Sequence, residues 1–117
     1  MSSPMEIYLA EIPYEDRNQI KYRPALVVSV GEEDVTVFKV ISKYQTKSKQ
    51  IKKYYYSIQE WSQAGLNRQS YVDTHRTFTL PQRIVFKRPP LGKLTLNDTV
   101  NLFEFIKNQK DNKSLRF

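Results

Sequence analysis

His75 is the only histidine in a chain of 117 residues that has no cysteine at all. A single histidine excludes paired-histidine metal sites and H-E-x-x-H chemistry, and the missing cysteines exclude thiolate zinc sites, thiol nucleophiles and disulfide frameworks. The three glycines, Gly31, Gly65 and Gly92, stand too far apart for a P-loop or a G-x-G-x-x-G turn, and no G-x-S-x-G is present. What remains is arginine, hydroxyls, Asp73 and one imidazole. That set can cleave RNA without a metal, because the substrate supplies its own nucleophile, the 2′-hydroxyl. The protein then provides a proton acceptor, a donor to the departing 5′-oxygen and positive charge for the pentacoordinate phosphorus, roles open to Arg, Ser, Thr and His. DNA lacks the hydroxyl and would resist.

The charge agrees with a polyanionic partner. Nineteen Lys and Arg against twelve Asp and Glu give a net +7, and the isoelectric point is about 9.6. This excess is segregated. Met1–Phe38 has three basic and seven acidic residues, net −4, whereas Lys39–Lys93 has twelve against two, net +10, and Leu94–Phe117 carries +1. The few acids in the basic segment argue against a two-metal carboxylate cage. Lys39, Lys43, Lys47, Lys49, Lys52 and Lys53 are interleaved with Tyr44, Tyr54, Tyr55 and Tyr56 and with no acid. Lysines can neutralise phosphates while tyrosine rings stack on unpaired bases, as a single-strand binder requires. A solvated lysine loop whose tyrosines pack into a sheet fits the same residues equally well.

Short strands must position these groups. The pattern predicts strands at Glu6–Ile12, Pro24–Val30, Val35–Ser42, Tyr54–Ile58, Ser70–Leu80 and Arg83–Lys87, with Pro81 as a breaker. Pro24–Val30 has the continuous apolar character of a strand buried on both faces. Pro13–Lys21 reads as a polar connection, Gly31–Asp34 as a tight reversal and Arg88–Gly92 as a rigid connector. Ser57 and Glu60 have capping-box spacing for a brief helix through Ala64, stopped by Gly65. Thr95 and Asp98 cap a final helix on which Leu96, Val100, Phe103 and Ile106 recur at helical spacing. The expectation is a single domain over 1–117, mainly β with helices: a small curved antiparallel barrel, SH3-like or OB-like, closed by an amphipathic helix, with 110–117 as a loose tail. No apolar run is long enough to span a membrane, and the N-terminus lacks the basic and apolar blocks of a signal peptide, so the expected location is the cytoplasm.

Four stretches occur in order: Ile7–Pro13 followed by Lys21-Tyr22-Arg23-Pro24-Ala25-Leu26-Val27-Val28-Ser29, Val40-Ile41-Ser42 before a basic loop, Ser70–Phe78, and Leu91-Gly92-Lys93-Leu94-Thr95 leading into the last helix. Together they resemble the MazF/PemK family of toxin endoribonucleases. The resemblance runs from about Ile7 to Ile106. It implies an SH3-like barrel of the MazF/PemK/CcdB type and a homodimer. It also implies sequence-specific, ribosome-independent cleavage of single-stranded mRNA to 2′,3′-cyclic phosphate and 5′-hydroxyl ends, a cognate antitoxin whose tail fills the RNA groove, and no cofactor or metal.

By the same resemblance Arg23 matches the catalytic arginine and Ser42 the catalytic Thr or Ser. Lys43, Lys47, Lys49, Lys52, Lys53, His75 and Arg76 are the expected RNA contacts. Arginine suits phosphate and transition-state stabilisation through its fixed positive fork. Asp73 is expected to orient Arg76 or a backbone group, and Trp61 to lie in the core or a dimer surface. The chain departs from the family pattern at Met5-Glu6, where Gly-Asp is usual, at Ser42, where Thr is more common, and over Gln45–Asn67, which is longer. A different class fits the same residues: a catalytically inactive module of this fold that binds nucleic acid or antitoxin.

Overall fold

The apolar run around Pro24–Val30 is a central strand, as its composition dictates. The computed structural model describes residues 4–13, 20–44 and 48–114. Their elements are β1 (Glu6–Pro13), β2 (Ile20–Val30), β3 (Asp34–Ile41), α1 (Lys49–Lys52), β4 (Tyr55–Ser57), β5 (Tyr71–Pro81), α2 (Gln82–Val85), β6 (Gly92–Lys93) and α3 (Leu96–Ser114). The six strands form one antiparallel sheet in the order β4-β5-β3-β2-β1-β6. The sheet curls into a half-barrel with β4 and β6 at its edges, which is the form the expected small barrel takes.

Both faces are buried, so the period of two sorts each strand between two cores. On one face Ile7, Leu26, Phe38, Val40, Tyr56 and Val72 pack with Leu102 of α3. On the other, Tyr8, Ala10, Ile12, Ala25, Val27, Val37 and Phe78 pack with Val85 of α2. Trp61 is half-buried against the first core. Met5 has a left-handed backbone, φ 73°, at the place where the resembled family has glycine. Its buried side chain in the first core offsets a conformation that disfavours L-residues.

Three sequence expectations change. Arg83–Lys87 is not a strand: Pro81 precedes a helical turn, α2, that Gln82 ties to the β2–β3 reversal by donating from its backbone N–H to Glu33 O and from its side chain to Gly31 O. Val85 then drops into the second core. Gln59–Gly65 is a series of turns rather than a regular helix, and its first N–H groups are capped from outside by Asp98, not by Ser57.

Gly65 does stop those turns. With φ 92°, it donates to Ser62 O while Leu66 donates to Trp61 O, the paired closure of a Schellman motif. The third change concerns α3, whose inward stripe is Asp98, Leu102, Phe105, Ile106 and Gln109, whereas Leu96 is 80% and Phe103 56% exposed, with Val100 exposed between them. Two polar residues on the buried stripe explain why apolar spacing points to the wrong face. The helix α3 itself runs through Ser114.

Gly65 and Gly92 mark a crossing of two chain segments. A Cβ on Gly92 would run into the Ala64 carbonyl, and one on Gly65 into the Leu91 carbonyl. This crossing fixes where the segment 66–70 begins. Gly92→Ala is therefore expected to cost about 2 kcal/mol, the usual penalty for forcing an extra group into a packed site. Urea denaturation would measure it, and an unchanged midpoint would refute the assignment.

Candidate active site

The β2–β3 ladder ends at the pair Ala25 and Lys39. The next residue of β2 is Pro24, which has no N–H to donate. Beyond that point β2 stays paired with β1, from Pro24 opposite Leu9 to Ile20 opposite Pro13, while β3 stays paired with β5 at Val40–Val72 and Ile41–Tyr71. The two central strands therefore part, and a cavity of about 350 Å3 opens between them.

Arg23 of β2 and Ser42, the residue after β3, both line it. Tyr22, Asn67, Arg68 and Ser70 are further lining residues. Arg23 is half-buried and Ser42 exposed, in a bend where its carbonyl accepts from Tyr44 N–H at 3.2 Å. The far wall is the segment 66–70. Its start is set by the glycine crossing, and its end by Gln69, whose side-chain amide donates to Ile58 O at 3.0 Å and Ser70 O at 3.1 Å. The wall thus holds Arg68 opposite the strand ends. Arg68 escaped the sequence reading because it sits in a short polar stretch with no motif. Its one signal is its place just before the Ser70–Phe78 strand.

The expected RNA contacts divide. Lys43 is exposed beside Ser42. Lys49 and Lys52 lie on α1, a single turn capped by Ser48, and Lys53 follows it. Lys52 Nζ stands 4.6 Å from the centre of the Tyr44 ring, which stacks on Tyr71 at 4.5 Å. Lys53 Nζ stands 5.2 Å from the Tyr54 ring, and Tyr54 packs on His75 at 4.6 Å. Lys47 lies outside the described residues.

His75 and Arg76 occupy a bulge: β3 passes directly from Phe38, opposite Thr77, to Lys39, opposite Asp73, leaving Thr74, His75 and Arg76 unmatched in that ladder. Asp73 holds the bulge by accepting from His75 N–H at 3.0 Å, so it orients a backbone group, and it also faces Lys39 Nζ at 3.8 Å. Arg76 lies over Phe78 at 4.6 Å. None of Lys49, Lys52, Lys53, His75 and Arg76 lines the Arg23 cavity.

Of the tyrosines in the basic segment, Tyr55 and Tyr56 are buried in the sheet and offer no face to a base. Burial and the nearby Asp73 carboxylate push the Tyr55 hydroxyl up to about 12. Tyr56 is raised further, first by burial and then by donating to Asp98. Both hydroxyls ionise more readily in the unfolded chain, at about pH 10, so unfolding releases protons above that pH. Stability is therefore expected to be intact below pH 10 and to fall as pH rises through 10 toward 12. Thermal melts across that range check it. A Tyr55→Phe variant should show a shallower decline, and an identical decline would refute the cause given.

Among the described residues no group of three or more potential metal ligands occurs, and no helix is long and apolar enough to cross a membrane. No curated protein matches the chain in sequence. Among solved structures, the Mycobacterium tuberculosis toxin MazF-mt6 is similar in fold, with a TM-score of 0.66 at 22% identity, over 91% of this chain and 96% of that one. A family model described as the PemK-like, MazF-like toxin of type II toxin-antitoxin systems matches residues 3–107. With that match spanning the strands, the parted cavity and most of α3, the chain belongs to the PemK-like, MazF-like toxin family.

Proposed function

We propose that the chain is a metal-independent, sequence-specific endoribonuclease that cuts single-stranded mRNA. The observation that carries the reading is the convergence of Arg23 of β2 and Ser42, just past β3, on one cavity that Arg68 also lines. The 2′-oxygen forms a bond to the adjacent phosphorus while the bond to the 5′-oxygen breaks. The 2′-hydroxyl gives up its proton and the leaving 5′-oxygen gains one, so no water enters the bond-breaking step. Arg23 supplies two parallel N–H donors to the phosphoryl oxygens as charge builds on them. Ser42 donates a hydrogen bond to the same group, and Arg68 adds a second positive charge from the opposite wall. His75 packs on Tyr54 and does not line the cavity, so our reading gives it no role in this step.

The family implies a cognate antitoxin partner. In our reading that partner's acidic tail competes with RNA for the cationic cavity, and the toxin works in the cytoplasm as a homodimer. The exposed Leu96, Val100 and Phe103 on α3 support self-association, being an apolar stripe at helical spacing. Incubating the protein in EDTA with 5′-labelled RNA, and with DNA of the same sequence, tests the catalytic reading. Cleavage of RNA alone, leaving cyclic phosphate ends, is the expected result. Intact RNA across many sequences, or equal cutting of DNA, would overturn it, and salt-sensitive RNA binding without cleavage would leave a binding module.

A further inference from the structure

The cavity with Arg23 and Ser42 shares a wall with a second one. Tyr22 lines both, and on its other side an opening of about 250 Å3 is bounded by Glu11, Arg83, Ile84 and Lys87. Glu11 and Tyr22 are opposite one another on β1 and β2, whereas Arg83 and Ile84 belong to α2, and Lys87 follows it. Tyr22 is 48% exposed. Its hydroxyl donates to Glu11 Oε1 at 2.7 Å, and the Arg88 guanidinium lies 4.7 Å from its ring centre. Lys87 also borders a third opening, beside Arg88. Basic side chains therefore line each of these openings: Arg23 and Arg68 the first, Arg83 and Lys87 the second, Lys87 and Arg88 the third.

Resting on the endoribonuclease reading, we propose that this second cavity is the subsite for the base next to the cleaved phosphate, with Tyr22 as stacking wall, Arg83 and Lys87 as phosphate contacts, and Glu11 as the group that selects guanine. The shared Tyr22 wall makes the two openings neighbours, as successive nucleotides require. Its ring is held from one side by Arg88 and from its hydroxyl by Glu11, so it is a pre-set platform of the kind on which unpaired bases stack.

A carboxylate only accepts hydrogen bonds, and the Tyr22 hydroxyl uses one of its about four acceptor positions. Such a group favours a base edge that carries donors. Guanine presents N1–H and the N2 amino group side by side, whereas uracil presents one N–H between two carbonyl oxygens that the carboxylate repels. Adenine and cytosine offer only the amino group on that edge. Arg83 and Lys87 offset the repulsion between Glu11 and the RNA backbone, which explains how an acid can sit on an RNA path.

The test uses oligouridines with 2′-O-methyl groups, which cannot be cut, with and without one central guanosine. Wild-type protein is expected to bind the guanosine-containing strand about tenfold more tightly, the usual scale of a two-point base contact. Glu11→Gln should bring that ratio close to one with its melting temperature unchanged, because an amide both donates and accepts. Arg83→Ala combined with Lys87→Ala should weaken both strands alike and keep the ratio. Equal binding of the two strands by the wild type, or an undiminished ratio in Glu11→Gln, would overturn the proposal. Protein that cuts RNA but does not discriminate would lose this subsite and keep the endoribonuclease reading. Guanosine preference without cleavage would do the reverse.

Discussion

Replacement of Arg23 by alanine is expected to slow RNA cleavage about 10³-fold while leaving the melting temperature within a few degrees of wild type. Removing a preorganised donor from a developing phosphoryl charge costs about 3–4 kcal/mol of transition-state stabilisation, and each 1.4 kcal/mol is about tenfold in rate. The fold should tolerate the change, since Arg23 lies on the stretch of β2 that has already left β3 and is only half-buried. Arg23→Lys keeps the charge but loses the two-pronged geometry, so an intermediate loss is expected. Arg68→Ala should fall between Arg23→Lys and wild type, because it adds charge from the far wall. Single-turnover cleavage of labelled RNA orders the three variants. Wild-type rates for Arg23→Ala would show that the cavity is not where the phosphate reacts.

The second large effect concerns stability, at Asp98. This carboxylate is fully buried at the start of α3. It accepts from the Tyr56 hydroxyl, from Gln59 N–H at 3.0 Å and from Glu60 N–H at 2.8 Å, while its own N–H donates to Thr95 Oγ1 at 3.2 Å. One side chain thus joins β4, the turns after it and the helix cap. Asp98→Ala leaves a buried hydroxyl and two N–H groups without their acceptor. Hydrogen bonds to a charged group contribute about 1.5–3 kcal/mol each, and sharing one acceptor makes the sum less than additive. A loss of about 4 kcal/mol is expected, lowering the melting temperature by roughly 20 °C for a chain of this size. Asp98→Asn keeps a carbonyl acceptor and should lose about half as much. If Asp98→Ala melts with the wild type, the three-way junction does not hold the helix to the sheet.

The same residue shows why one part of the fold was legible from composition and another was not. Thr95 and Asp98 have helix-capping spacing, and the first half of that motif is present, the N–H of Asp98 reaching the Thr95 hydroxyl. The Asp98 side chain does not reach back to the Thr95 backbone. It serves donors about forty positions earlier in the chain, a partnership that no local spacing encodes. Burying Asp98, with Gln109 at the other end of the stripe, turns α3 so that Leu96, Val100 and Phe103 face outward. A periodicity argument scores apolar residues, and here a polar residue satisfied by distant backbone outranks them.

The central strand was readable because burial on both faces demands a continuous apolar run, and Pro24–Val28 obeys that demand, whereas Ser29 and Val30 are exposed. Family membership was readable for a related reason: the motifs around Arg23, Ser42, Ser70 and Gly92 mark turns and strand ends whose chemistry is local. What the order of residues could not contain is that Pro24 ends one ladder while β1 and β5 draw the two central strands apart. Only that parting sets Arg23 beside Ser42 and brings in Arg68. Lys49, Lys52 and Lys53, close in sequence to Ser42, stay outside the cavity lining, as does His75. Charge along a chain is a property of composition, whereas a cavity is made by strands that must each choose one partner at a time.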